Sequence, residues 1–296
     1  MTYDSVGRRV LLFGGTSSDS ADQWPRSLWA WDGTRWSCID ADGPAGRDSP
    51  EMAYDARRNR LVLYGGRTSE NRQGWKVLTE TWEWDGARWT MVDSVGLGPR
   101  VHTMLAYDAE RGAVIAHGGI QRGHPMHRDT WRWDGTAWRA TDIAIGPIGD
   151  HHNGLVPTTS GVLLSVSVQD SAGGCLAQPR LARGRPHTYL LRGLQWAPAG
   201  PPGPCVGGGG IFGVVWTPEG TLLYSGWSGG PQPRAESWIL RGETWQSIDS
   251  IPTPRRGARV VYDPGRQRVV LFGGFDDRGL LGDTWEWDGA RWARIA

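Results

Sequence analysis

Short apolar runs bounded by turn residues recur along the whole chain with a period of about fifty residues. In the clearest unit, such runs lie at 52–55, 60–66 and 80–86, and a further run begins at Trp89. The last unit repeats the same order between Val260 and Trp292. The segments that separate the runs, such as WDG-x-x-W, have the length and composition of tight hairpins. Each unit is therefore predicted to form four short antiparallel strands, which we call a, b, c and d.

Six such units fill the chain. Each ends with a tryptophan at the start of strand d, and these residues are Trp36, Trp89, Trp138, Trp196, Trp245 and Trp292. Four antiparallel strands repeated radially form the blades of a β-propeller. The sequence therefore predicts an all-β, six-bladed propeller in a single domain, 1–296. The expected blades are approximately 1–40, 41–93, 94–142, 143–199, 200–249 and 250–296.

The signals inside each unit resemble those of the kelch repeat, in which a Gly-Gly pair is followed by an aromatic residue and then by a tryptophan about five residues later. The matching sets are Gly14-Gly15 with Trp31 and Trp36, Gly65-Gly66 with Trp84 and Trp89, Gly118-Gly119 with Trp133 and Trp138, and Gly273-Gly274 with Trp287 and Trp292. The fourth unit departs from this pattern with Val166-Ser167 and Leu191, and the fifth with Ser225-Gly226 and Leu240. The resemblance implies a kelch-type propeller similar to the central domain of galactose oxidase. It implies no particular function, because kelch propellers include enzymes, lectin-like binders and interaction modules.

Strand direction indicates which face would carry a site. The b–c loops and the d–a connections emerge on one face, and the a–b and c–d hairpins on the other. The hairpins are short and alike, whereas the b–c loops are long and all different. Binding usually resides in variable loops on a rigid scaffold, so we expect a site at the channel mouth on the b–c/d–a face.

The histidines favour that face, since all seven fall between 102 and 187 at the ends of strands that reach it. Candidate acid–base groups are His102, His152 and His187, with the carboxylates Asp129 and Asp150. A divalent metal is a further hypothesis, with ligands drawn from His124, His127 and His151, although their spacing matches no strong metal signature and the sequence requires no cofactor. The alternative is that these are ordinary solvated loop histidines.

Two further sets of residues are candidates for ligand binding. Arg47, Arg100 and Arg255 align at the start of strand a, where they would either anchor an anionic or polyhydroxy ligand or simply pair with acids at the blade edge. An acid recurs at the start of strand c, as in Glu80, Asp129 and Asp283, and its expected role is structural. In the fourth unit the alignment places His187 at this position. Three of the four tryptophans outside the repeat positions lie in b–c loops and would stack against sugar rings. These are Trp24, Trp75 and Trp227.

Composition excludes some functions. The 32 Lys and Arg balance 31 Asp and Glu to a net charge of +1, which argues against nucleic acid as a partner. No apolar run approaches the roughly 18 residues of a membrane span. The three cysteines have no metal-ligand spacing, and the N-terminus lacks the features of a signal peptide, so we expect a cytoplasmic protein. We also expect a monomer.

These observations support two function hypotheses. The first is a stand-alone propeller that binds a small polar or anionic molecule, with acid–base or metal-assisted chemistry of the isomerase, lyase or cyclase type. The alternative is a non-catalytic propeller that binds carbohydrate or protein. A lectin would be expected to repeat its site in every blade, which these loops do not. Kelch interaction scaffolds usually accompany a second domain, which this sequence does not show.

Overall fold

The structure is a computed structural model, and it describes residues 1–16, 24–69, 75–121, 123–146, 154–159, 161–169, 184–204, 213–226, 235–249 and 252–296. These residues form six four-stranded antiparallel sheets that follow one another along the chain. The predicted all-β fold with six four-stranded blades is therefore confirmed. The chain divides into two compact units, of which the first comprises Met1–Gly146 with Thr159–Gly161, and the second Pro147–Thr158 with Val162–Ala296.

The first unit contains blades 1 to 3, in each of which strands a, b, c and d lie in that order across the sheet. Blade 1 consists of β1 (Thr2–Asp4), β2 (Arg9–Phe13), β3 (Leu28–Trp31) and β4 (Trp36–Asp40). Blade 2 consists of β5 (Glu51–Asp55), β6 (Arg60–Tyr64), β9 (Thr81–Trp84) and β10 (Trp89–Asp93), and its b–c loop forms an extra hairpin from β7 (Arg67–Ser69) and β8 (Trp75–Val77). Blade 3 consists of β11 (Met104–Asp108), β12 (Ala113–His117), β13 (Thr130–Trp133) and β14 (Trp138–Ala140).

The second unit contains blades 4 to 6 with the same strand order. Blade 4 consists of β15 (Gly154–Thr158), β16 (Gly161–Gln169), β17 (Gly184–Arg192) and β18 (Gln195–Pro198), with Gly161 assigned to the first unit. Blade 5 consists of β19 (Gly213–Thr217), β20 (Gly220–Ser225), β21 (Glu236–Arg241) and β22 (Thr244–Ser247). Blade 6 consists of β23 (Arg259–Asp263), β24 (Arg268–Phe272), β27 (Thr284–Trp287) and β28 (Trp292–Arg294), with a small hairpin of β25 (Phe275–Asp276) and β26 (Gly279–Leu280).

The core of each unit lies between successive blades, and strand b contributes to it from both faces. Leu61 and Leu63 pack into the cluster between blades 1 and 2, and Val62 points the other way into the cluster between blades 2 and 3. A strand buried on both faces reads as a continuous apolar run, which is the pattern seen here. Trp82 and Trp84 contact the same cluster as Leu61 and Leu63, as expected from their alternation on β9.

The Gly-Gly pair ends strand b because both residues take positive φ angles. The angles are 64° at Gly65 and 93° at Gly66, in the region that side chains disfavour. A Cβ at Gly66 would also lie 2.9 Å from the carbonyl oxygen of Asp48, so the d–a connection passes too close for any other residue.

Blade 4 lacks this glycine pair, and its two central strands are longer. With Val166-Ser167 in place of Gly-Gly, strands β16 and β17 continue to nine residues each, whereas the b and c strands of the other blades have four to six. His187 consequently lies inside β17, opposite Val166, and not at the start of strand c as the repeat alignment predicted.

Candidate functional site

Arg47 is fully buried at the b–c/d–a end of blade 2, and its guanidinium is bound on all sides by its own blade. Nε donates to the carbonyl oxygen of Ala45 at 2.9 Å, and Nη1 donates to that of Gly65 at 2.9 Å. Nη2 donates to Oε1 of Glu80 at 3.1 Å. The side chain therefore ties the d–a connection to the Gly-Gly turn and to the start of strand c.

The same arrangement recurs in blades 3 and 6. Arg100 donates to the carbonyl oxygens of Gly118 and Leu97 and to the Asp129 carboxylate. Arg255 makes the corresponding bonds to Gly273, Thr253 and Asp283. This geometry is the blade-edge pairing that the sequence left open as an alternative to ligand anchoring, and it explains why an acid recurs at the start of strand c.

Each ion pair also determines the charge state of its acid. Burial acts to raise the pKa of Asp129, but hydrogen bonds from Trp131 and Arg100 outweigh it and hold the pKa below its ordinary value. Asp283 behaves in the same way, with Arg255 and Trp285 as its donors. A general acid must be protonated near neutral pH, so Asp129 does not have the electrostatics of one.

The described histidines of blade 3 lie at its b–c/d–a end, as predicted. His102 is exposed in the d–a connection, with a φ of 56°. His127 lies in the b–c loop with Nδ1 4.0 Å from Oδ1 of Asp129, and burial followed by the charge of Arg100 lowers its pKa. His117 is buried with Nδ1 2.9 Å from Oγ1 of Thr130, and burial lowers its pKa to about 4. His117 and His127 are therefore neutral near pH 7.

The remaining candidates have less structural information. His124 is exposed in the b–c loop of blade 3, and His187 is half-buried in blade 4. Four predicted residues lie outside the described residues, namely Asp150, His151, His152 and Trp227. In the described ranges, no group of three or more His, Cys, Asp or Glu side chains has the geometry to hold a metal ion. The catalytic and metal-binding roles remain predictions.

The structure does bring two of the candidate tryptophans together. Trp24 from the b–c loop of blade 1 stacks on Trp75 from the b–c hairpin of blade 2, with ring centroids 5.3 Å apart and planes inclined by 15°. Trp75 nevertheless keeps 57% of its surface exposed. Arg67 places its guanidinium carbon 4.3 Å from the centroid of the Trp75 ring. These three residues form an exposed aromatic surface with a cation on it, which we call the Trp24–Trp75 platform.

The register of the hairpin explains how Arg67 reaches the ring. Arg67 on β7 pairs with Val77 on β8, and Trp75 lies two residues before Val77 on the same face of that strand. Such diagonal neighbours lie within reach of long and aromatic side chains. Lys76 points to the opposite face, so Arg67 is the cation that the hairpin presents beside Trp75.

Asp48 holds Arg67 in this position. Nε and Nη2 of Arg67 each lie 2.7 Å from Oδ2 of Asp48. The two backbones also form a bridge, in which Asp48 N donates to Arg67 O at 2.8 Å and Arg67 N donates to Asp48 O at 2.9 Å. Ser49 Oγ donates to the other carboxylate oxygen at 3.1 Å. The guanidinium on the platform is thus fixed and neutralised by a neighbouring carboxylate.

Two glycines of the d–a connection hold Trp24 on the other side of the platform. A Cβ at Gly46 would lie 1.8 Å from the carbonyl oxygen of Trp24, so only glycine permits this close passage. Gly43 accepts hydrogen bonds at its carbonyl oxygen from Nε and Nη2 of Arg26, at 3.1 and 2.8 Å. The backbone at Trp24 therefore packs closely against the d–a connection.

Sequence reasoning missed Asp48 and Arg67, although a signal was present. The residue after each of the three aligned arginines forms a bridge to the residue after the Gly-Gly pair, and the three bridges are Asp48–Arg67, Val101–Ile120 and Arg256–Phe275. Among these bridges only the one in blade 2 carries opposite charges. Comparing the same position across units would have singled it out.

Comparisons with known proteins address the fold. The chain matches no family model, and no curated protein matches it in sequence. Among solved structures it is similar to the one described as "Structure of YjhT", with a TM-score of 0.64, 11% identity and 90% of each chain covered. At this identity the likeness supports the six-bladed β-propeller fold and nothing about ligands. The described part of the chain contains no helix with the length and apolarity that crossing a bilayer requires.

Proposed function

We propose that this chain is a kelch-type β-propeller that binds a small polyhydroxy molecule at the Trp24–Trp75 platform. The kelch assignment is supported by the glycine pairs with positive φ in blades 1, 2, 3 and 6 and by the tryptophans of strands c and d. The binding proposal corresponds to the carbohydrate alternative drawn from the sequence. It is carried by one observation, the stacked pair of loop tryptophans of which one remains more than half exposed.

The chemistry of the platform matches that of a sugar. A pyranose ring has an apolar face of C–H groups, which stacks on an indole, and a rim of hydroxyl groups, which need donors and acceptors. The Arg67 guanidinium lies over the Trp75 ring, with its central carbon 4.3 Å from the ring centroid, and it is paired with the Asp48 carboxylate, so the two side chains together offer donors and acceptors. Small-molecule sites usually combine aromatic and other apolar side chains with a few precisely placed polar groups, and the platform contains residues of both kinds.

The limited occurrence of the platform favours one site over a repeated lectin array. It needs a tryptophan from two successive loops and a charged bridge, and among the described bridges only that of blade 2 is charged with opposite signs. Blade 6 has Phe275 at the position of Arg67, and its hairpin presents Leu280 on the strand opposite. A single site agrees with loops that all differ between units.

Titration of a panel of neutral sugars tests the proposal. The panel comprises the methyl glycosides of glucose, galactose and mannose together with cellobiose and maltose, and binding is measured by calorimetry and by saturation-transfer NMR. Trp75→Ala is expected to weaken binding by about tenfold or more, because it removes the stacking surface. Trp29→Ala is the matched control, since Trp29 is also exposed, at 38%, but lies on β3 outside the platform.

Two results would contradict the proposal. One is that the unaltered protein binds no member of the panel. The other is that Trp75→Ala and Trp29→Ala bind a sugar as tightly as the unaltered protein does, which would place the ligand elsewhere on the molecule.

A further inference from the structure

Charge compensation at the platform indicates which sugars it would take. The guanidinium of Arg67 lies over the Trp75 ring, and an unpaired guanidinium there would attract a carboxylate or a phosphate. Here it is already paired, because Oδ2 of Asp48 lies 2.7 Å from both Nε and Nη2. A carboxylated ligand would have to displace Asp48 or lie close to its negative charge.

Several contacts besides the ion pair hold Asp48 beside Arg67. Asp48 is bound to Arg67 by two backbone hydrogen bonds as well as through its carboxylate, and its second carboxylate oxygen accepts from Ser49. Gly66 supports the same arrangement, because the Asp48 carbonyl lies within 2.9 Å of where a Cβ would be. Rotating Asp48 away would leave Arg67 without its carboxylate partner.

We infer that the Trp24–Trp75 platform takes neutral saccharides and discriminates against carboxylated or phosphorylated ones, and that Asp48 is the residue that determines this selectivity. The inference rests on the proposed function. It places the specificity in a residue whose carboxylate acts through Arg67. Arg67 keeps a third of its side chain exposed while bound to Asp48, so it remains able to donate to a hydroxyl group without being available as an unpaired charge.

The experiment compares sugars that differ only in one carboxylate. The methyl glycosides of glucose and galactose are titrated against those of glucuronate and galacturonate, at low and at high salt. The unaltered protein is expected to bind the neutral sugar at least about tenfold more tightly than its uronate, since the uronate meets an already neutralised guanidinium beside a carboxylate.

Asp48→Asn is expected to reduce or reverse that ratio. The substitution keeps the shape of the side chain and the backbone bridge, but it frees the positive charge of Arg67. Uronate binding should tighten by about tenfold and become salt-dependent. Asp85→Asn is the matched control, because it changes the net charge equally in the c–d hairpin of the same blade. Arg67→Gln should bind uronates no better than the unaltered protein.

The outcomes separate this inference from the proposed function. If the unaltered protein binds uronates as tightly as neutral sugars, or if Asp48→Asn leaves the ratio unchanged while near-UV circular dichroism shows native packing, the selectivity inference is wrong and sugar binding stands. If Asp48→Asn lacks native packing, the Arg67→Gln variant is used to test the selectivity inference. A gain of uronate binding in Arg67→Gln would exclude the role of the Asp48–Arg67 ion pair in discriminating against uronates. If neither series binds to the unaltered protein, both proposals are overturned.

Discussion

Replacing Arg47 with methionine would show whether the aligned arginines build the blade or bind a ligand. The substitution keeps much of the buried stem and removes three hydrogen bonds, to Ala45, Gly65 and Glu80. Leaving one partner of a buried ion pair alone costs about 3–5 kcal/mol, and each buried carbonyl left unpaired costs about 1–3 kcal/mol. Glu80 keeps 21% of its side chain exposed and can be rehydrated, so we expect a loss of about 3 kcal/mol in the free energy of unfolding.

Urea unfolding followed by circular dichroism measures this loss. Arg88→Met is the control within the same blade, because Arg88 is largely exposed and lies 3.7 Å from Asp85, in a surface pair worth about 0–1 kcal/mol. The double variant Arg47→Met/Glu80→Gln should lose less free energy of unfolding than the two single variants lose together, because each substitution removes the same contact. A loss for Arg47→Met no larger than that for Arg88→Met would refute the structural role and return Arg47 to the candidate ligand residues.

Two further predictions concern the histidines of blade 3. The pKa of His117, about 4 in the folded protein, lies below its ordinary value of 6.5, so the unfolded chain binds more protons at intermediate pH and stability should fall by about 3 kcal/mol from pH 7 to pH 4. His117→Asn should lack this part of the loss in urea unfolding across the same range, and an equally steep loss in that variant would contradict the assignment. His102→Gly should stabilise the fold by about 0.5 kcal/mol, because His102 has a left-handed backbone that the equivalent residue Gly257 adopts without strain. Thermal unfolding measures this change. Destabilisation would mean that the imidazole makes contacts that outweigh the backbone strain.

The strands could be predicted because each repeated signal has a local physical cause. The Gly-Gly pair ends strand b wherever it occurs, since both residues take positive φ, and the WDG turn sets where strand d begins. The described strands form six four-stranded antiparallel sheets, as the repeat predicts. The prediction erred in blade 4, where the missing glycines let β16 and β17 extend and moved His187 into a strand. The repeat alignment set the start of strand c in blade 4 as in the other blades, although the Gly-Gly pair that produces this boundary is absent there.

The roles of the site residues could not be read in the same way. A buried arginine and an exposed one are identical in sequence, and what distinguished Arg47 was the set of acceptors around it, which come from Ala45, Gly65 and Glu80. The stacking of Trp24 on Trp75 depended on two loops of unrelated sequence meeting in space. The pairing of Asp48 with Arg67 was in principle visible, but only by comparing the bridge position across blades.

Comparison of the same position across blades distinguishes structural residues from candidate ligand-binding residues. A residue that recurs at one position in several blades has to satisfy the same contacts in each, as the arginines and the strand c acids do. Those contacts bury the arginine side chains of blades 2, 3 and 6, so their recurrence has a structural explanation that needs no ligand. The bridge position keeps its backbone hydrogen bonds in all three blades while its side chains change from Asp48–Arg67 to Val101–Ile120. Specific chemistry in a propeller of this kind is therefore expected where the backbone repeats and the side chains do not.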